Sequence, residues 1–201
     1  SDVYKVNVFT GVWNNLNFFG FDAGTFMPDI SSLVFVTLGP LLNNQWYPAI
    51  SLVFMAVSVA TLSRTLGLCS WACVVAGVAA GLNSDFLSYA CWGLPTLPMC
   101  VGWSAFAMAS IKHTWPRWVA YTVAGGCIAQ SIMEGYDNGA IMSLYVAAFA
   151  FCHENGRRRW ISVPWIAVAS AVVGAFALQS LVTANISGIS QVKQDPKEQW
   201  A

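Results

Sequence analysis

The stretch Cys127-Ile128-Ala129-Gln130-Ser131-Ile132-Met133-Glu134-Gly135-Tyr136-Asp137-Asn138-Gly139-Ala140 joins two apolar runs, 119–133 and 139–152. Each run is long enough for most of a membrane crossing, which takes about 20 helical residues. Between them stand two carboxylates, Glu134 and Asp137. A carboxylate at a bilayer boundary is unfavourable unless it is paired, solvated or set in a cavity, so this turn is a candidate functional site. Its plain reading is a tight, wet hairpin with Gly135 and Asn138-Gly139 as turn residues.

The rest of the composition agrees with a membrane chain. Of 201 residues, 57% are hydrophobic, 14% aromatic and 9% charged, and mean hydropathy is +0.58. Soluble domains carry about 25% charged residues. The fold expected is all-α, an integral membrane helix bundle. Basic and acidic residues number 9 each, a balance that gives no reason to expect a nucleic-acid partner. The six cysteines (69, 73, 91, 100, 127 and 152) mostly fall inside apolar runs, where they act as small apolar residues rather than a disulfide framework. The chain opens Ser1-Asp2-Val3-Tyr4 without a signal peptide and ends Gln199-Trp200-Ala201, and it reads as a piece of something longer.

Three regions follow from the order of the residues. Residues 1–45 form an outer-face loop in which Trp13, Phe18 and Phe19 interleave with asparagines, Asp22 and Asp29, a blend suited to the headgroup level. Within it the apolar run 30–42, broken by Gly39-Pro40 and ended by Asn43-Asn44, is too short to span and reads as re-entrant or interfacial. Residues 46–184 hold six crossings, at 46–63, 68–82, 94–111, 118–133, 139–152 and 160–182. Residues 185–201 are a polar outer tail. Pro95 and Pro98 should distort the start of the third crossing. Small residues such as Gly77, Gly81, Gly125 and Gly126 offer faces on which helix backbones approach closely.

Charge orients this map. Alternating crossings put Arg64, Lys112, Arg117 and Arg157–Arg159 on the cytoplasmic side, six basic residues against Glu154 alone. The outer side, with the N-terminus, takes eight acids, Asp2, Asp22, Asp29, Asp85, Glu134, Asp137, Asp195 and Glu198, against Lys5, Lys193 and Lys197. The positive-inside rule is met at every loop.

Chemistry therefore belongs on the outer face. Carboxylates there can act as a general base, bind a divalent cation or hydrogen-bond sugar hydroxyls; a merely wet rim is the alternative. His113 and His153 sit at inner helix ends, and no P-loop, GxGxxG or nucleophile elbow is present. Arg157–Arg159 reads as a topology signal, with anionic-lipid contact as the alternative. A transporter or channel segment is disfavoured because no charge lies in mid-crossing. A non-catalytic subunit packed in a larger membrane assembly also fits the small-residue faces.

Several stretches resemble one family. Asn15-Leu16-Asn17-Phe18-Phe19-Gly20-Phe21-Asp22 with Pro28-Asp29 resembles the outer loop of YfhO-like bacterial polytopic membrane proteins. Leu62-Ser63-Arg64-Thr65-Leu66-Gly67-Leu68 resembles their inner turn. The stretch 130–140 is similar to an outer turn of one branch, and the tail with Glu198-Gln199-Trp200 to the segment that follows. That family is similar to the GT-C class of glycosyltransferases, which take sugars from polyprenyl-phosphate donors on the outer face of a membrane such as the bacterial inner membrane. The resemblance implies a catalytic base in the first outer loop, by position Asp2, with Asp22 or Asp29 as alternative holders of the role. Asp29, Asp22, Glu134 and Asp137 would bind the sugar or a divalent ion, and Trp13, Phe18 and Phe19 would border the lipid-linked donor. It further implies an upstream crossing and a continuation beyond Ala201.

Overall fold

The computed structural model describes residues 12–14, 21–23, 30–91 and 95–175. These fall into two compact units, 1–28 with 175–201, and 29–174. In the first unit, β1 (Val12–Asn14) and β2 (Phe21–Ala23) pair antiparallel, with Trp13 opposite Asp22. The aromatic and amide-rich segment thus contains a short strand ladder that the composition did not foretell.

The second unit is helical throughout. Its elements are α1 (Ile30–Thr65), α2 (Ser70–Gly81), α3 (Ser84–Cys91), α4 (Thr96–Lys112), α5 (Arg117–Glu134), α6 (Tyr136–His153) and α7 (Arg157–Val173). Asn43-Asn44 does not end a helix, contrary to the expectation above. The expected break at Gly39-Pro40 is present, with Gly39 at φ 79° and ψ 166°, and α1 then runs on to Thr65. Glycine reaches that positive φ without a Cβ clash, and the following Pro40 has no N–H to continue the earlier ladder. The two asparagines come after the break, inside the resumed helix.

The end of α1 is set locally. Leu68 N–H donates to the Ser63 carbonyl and Gly67 N–H to the Arg64 carbonyl, with Gly67 at φ +91°. This is a Schellman ending, with glycine in the left-handed position. The Arg64-Thr65-Leu66-Gly67-Leu68 turn therefore has a backbone reason for its glycine. The prolines of the third run likewise start a helix rather than kink one. Pro95 caps α4 and Pro98 is its third residue, in the first turn, where no N–H is needed.

Contacts between named residues give the directions of the helices. Ser110 of α4 reaches Ala120 of α5, and Cys100 reaches Ser131, so α4 and α5 are antiparallel. Thr122 of α5 meets Trp165 of α7, and Gly125 meets Ile166, so those two run the same way. Phe54 of α1 packs on Trp103 and Phe106 of α4, with ring centroids 4.7 and 5.5 Å apart. Helical runs thus alternate in direction, with α2 and α3 together making one return bent by 43°. The turns carrying Arg64, Lys112, Arg117 and Arg157 fall at one end, and Glu134 lies at the other.

Packing relies on small residues. A Cβ on Gly77 would lie 2.7 Å from the Ala56 carbonyl oxygen, and one on Gly125 would lie 2.8 Å from that of Ile166. Gly126, next door, has open space instead. The buried cluster includes Ala107, Ile111, Tyr121, Ala124, Cys127, Ile128, Val146, Ala150 and Ile166. Serines 51, 58, 104, 131 and 162 are buried as well, each exposed by 3% or less. Ser58 and Ser104 donate to the carbonyl four residues earlier, so their hydroxyls are satisfied within their own helix. Large apolar side chains point outward: Trp71 is 81% exposed, Trp160 72% and Leu144 71%. One helix, Gln45–Thr65, is long and apolar enough by itself to cross a membrane, and the bent pair α2 and α3 passes the same test only when taken together. All six cysteines are free thiols.

Candidate functional site

Glu134 is not a wet turn residue. It is the last residue of α5, only 8% exposed, and the Tyr47 hydroxyl donates to its Oε2 at 2.7 Å. The turn itself is Gly135 alone, because Tyr136 already opens α6. Asn138-Gly139 is therefore helical, a second correction to the hairpin expected from sequence. Gly139 is buried because α6 crosses the backbone of α5 at Ser131 and Ile132, where no side chain fits. Close helix approach, not turn geometry, selects this glycine.

Behind Glu134 lies a polar seam between α4 and α5. The Cys100 thiol donates to the Ser131 carbonyl at 3.1 Å, and the Ser131 hydroxyl returns a bond to the Cys100 carbonyl at 3.1 Å. Ser104 lies 3.5 Å from the Ser131 hydroxyl. One turn before Glu134, Gln130 Oε1 accepts the Ile30 N–H at 3.2 Å, which ties the start of α1 to α5. Burying a carboxylate requires such company, since an isolated one is strongly disfavoured away from water. Tyr47, Cys100 and Gln130 were not singled out from sequence. The available signal was the spacing of Gln130, Ser131 and Glu134, which share one face at the end of an otherwise apolar helix.

The other expected site residues are not gathered here. Asp2, Phe18, Phe19 and Asp29 lie outside the described residues. Trp13 and Asp22 are placed by backbone only, opposite each other in the β1–β2 ladder, and Asp137 only as part of the first turn of α6. Asp85 is exposed in the first turn of α3. Among the described residues, no three His, Cys, Asp or Glu side chains are grouped as a metal site.

A second polar cluster occupies the basic end. Arg117 lies 3.3 Å from Glu154 Oε1 and also donates to the Ile111 carbonyl at 2.9 Å. The Glu154 side chain is 5% exposed, against 41% for Arg117. Arg117→Ala is expected to destabilise the fold by about 3 kcal/mol, the lower end for breaking a buried pair because one partner is partly wet. Glu154→Gln, which strands only the accessible arginine, should cost less. Thermal unfolding of the two variants compares them. His113 lies against Trp115 and His153 against Phe149, so each imidazole has an aromatic neighbour. His153 follows the apolar run 139–152, and its pKa is held below the ordinary value by burial, then by Lys112 and Arg117, with Glu154 opposing. Its ring is neutral near pH 7 and adds no cation to this end.

No protein-family model, curated protein or solved structure matches this chain.

Proposed function

We propose that the chain is the core of a polytopic membrane protein that transfers sugar from a polyprenyl-phosphate-linked donor. In this reading its alternating helical runs are six crossings, the basic end is cytoplasmic and the Glu134 end faces outward. The observation that carries it is the buried Glu134 carboxylate held by Tyr47 at the end opposite the arginines. A carboxylate kept in a polar pocket at a membrane rim is a strong acceptor for sugar hydroxyls. The membrane part is supported by the outward apolar side chains over an interior of serine, alanine and glycine, the reverse of the usual soluble arrangement. Asp2 would serve as the base that activates the acceptor hydroxyl, and Trp13, Phe18 and Phe19 would border the lipid-linked donor. Asp22, Asp29 and Asp137 would add sugar or divalent-cation contacts.

Two measurements test this. Wild-type chain should resist alkaline extraction from membranes, and release into the supernatant would overturn the membrane reading. In a transfer assay, Asp2→Asn should lower sugar transfer by about a hundredfold or more, the usual contribution of a general base. Full activity in that variant would remove Asp2 from the role.

A second reading, a non-catalytic subunit of a larger membrane assembly, is favoured by one specific feature. Trp71, Val75 and Val78 on α2, with Leu82 just after it, present an exposed apolar face, while Gly77 and Gly81 pack inward on α1. Co-purification of a stoichiometric membrane partner, lost on Trp71→Ser with Val75→Ser, would support it.

A further inference from the structure

The basic end holds two adjoining concavities. One, of about 550 Å³, is lined by Arg117, His153, Glu154, Asn155, Arg157 and Arg158. The other, of about 300 Å³, is lined by Arg117, Trp118, Tyr121, Arg158, Ile161 and Trp165, between α5 and α7. Arg117 and Arg158 line both, so the polar cleft and an aromatic and aliphatic groove adjoin at these two side chains.

Two of the three arginines in the cleft are not consumed by the fold. Arg117 is balanced by Glu154, but Arg157 and Arg158 are exposed and make no ion pair among the described residues. Arg159 differs: it stacks over Phe151 at 4.8 Å and donates to the Glu154 carbonyl, so it is already used internally. With His153 neutral, the cleft carries three arginines against one carboxylate. In the groove, Tyr121 is 5% exposed and its hydroxyl has no hydrogen bond of standard geometry, although Glu154 is close enough to act on it.

We propose that this end binds an anionic phospholipid, with the phosphate in the Arg157–Arg158 cleft and an acyl chain along Trp118, Ile161 and Trp165. An amphiphile matches the pair of concavities where a small anion would use only the first. Arg158 stands at the junction, where a phosphate joins its glycerol. Guanidinium groups suit phosphate oxygens because they offer paired donors in one plane. The inference rests on the membrane reading, since the groove needs a bilayer to supply its chain.

Native mass spectrometry of the full chain from neutral detergent micelles tests it, with phosphatidylglycerol, phosphatidylcholine and inorganic phosphate as probes. Phosphatidylglycerol should be retained in preference to phosphatidylcholine, and inorganic phosphate should not be retained. R157Q/R158Q should lose that preference by roughly tenfold or more, given two cations near the headgroup. R158Q should weaken retention while R64Q, which removes one charge from the same end outside the cleft, should not. Equal retention of both lipids, equal losses in R158Q and R64Q, or retention of phosphate as strong as that of the lipid would each overturn the lipid site. Alkaline extraction of the wild-type chain would overturn the membrane reading and this site together, whereas loss of lipid selectivity alone overturns only the site.

Discussion

Gly139→Ala is expected to destabilise the helical unit by more than about 3 kcal/mol, beyond the range in which side chains absorb overpacking. The added Cβ would press on the Ser131 carbonyl oxygen and stand 2.5 Å from Ile132 Cα and 2.6 Å from its nitrogen. All of these are backbone atoms of α5, so no rotamer change relieves the clash and the two helices must separate. Gly126→Ala is the control. Nothing lies within 4 Å of its Cβ position, so the exchange should stabilise the helix by about 0.5–1 kcal/mol. Denaturant unfolding in detergent, followed by circular dichroism, measures both. A neutral Gly139→Ala would mean that α5 and α6 cross more loosely than their backbones show.

On the proposed sugar-transfer reading, Glu134→Gln should lower transfer by about tenfold to a hundredfold, the range for losing one charge-assisted hydrogen bond. The substitution keeps size and hydrogen bonding to Tyr47, so the fold should survive. Glu134→Ala is expected to reduce stability as well, because it empties the space among Tyr47, Cys100 and Ser131. Tyr47→Phe separates positioning from contact. It leaves the carboxylate in place but removes the donor to Oε2, so a fall in transfer smaller than that of Glu134→Gln is expected. Full transfer by Glu134→Gln would sink the role of this carboxylate in sugar binding and move the balance to the subunit reading.

Much of the helical layout was legible in the order of residues. Runs of apolar residues ending at Arg64, at Lys112-His113 and at His153-Glu154 became helices ending at Thr65, Lys112 and His153. Charged residues mark such ends because they cannot follow an apolar helix into a low-dielectric surrounding. The opposite errors share one cause. Asn43-Asn44 and Asn138-Gly139 look like local breaks, since asparagine and glycine favour turns. At Gly139 the crossing with α5 overrides that preference and keeps the residue inside a helix; at Asn43-Asn44 the helix runs on, and the break falls at Gly39, where Gly39-Pro40 also stood out in the sequence.

The candidate site divides in the same way. Glu134 could be singled out because a carboxylate between two apolar runs is conspicuous along the chain. Its environment could not, because Tyr47 lies 87 residues earlier and Cys100 in a different helix. The sequence by itself determined the helical class, the placing of Arg64, Lys112, Arg117 and Arg157 at helix ends and the candidacy of Glu134, since composition and charge order require no folding to be read. Only the tertiary structure decided that Glu134 is buried, that Gly139 packs and that Arg158 joins a polar cleft to an apolar groove. Those features come from side chains of separate helices meeting in space, and spacing along one helix carries no record of the partner across the interface.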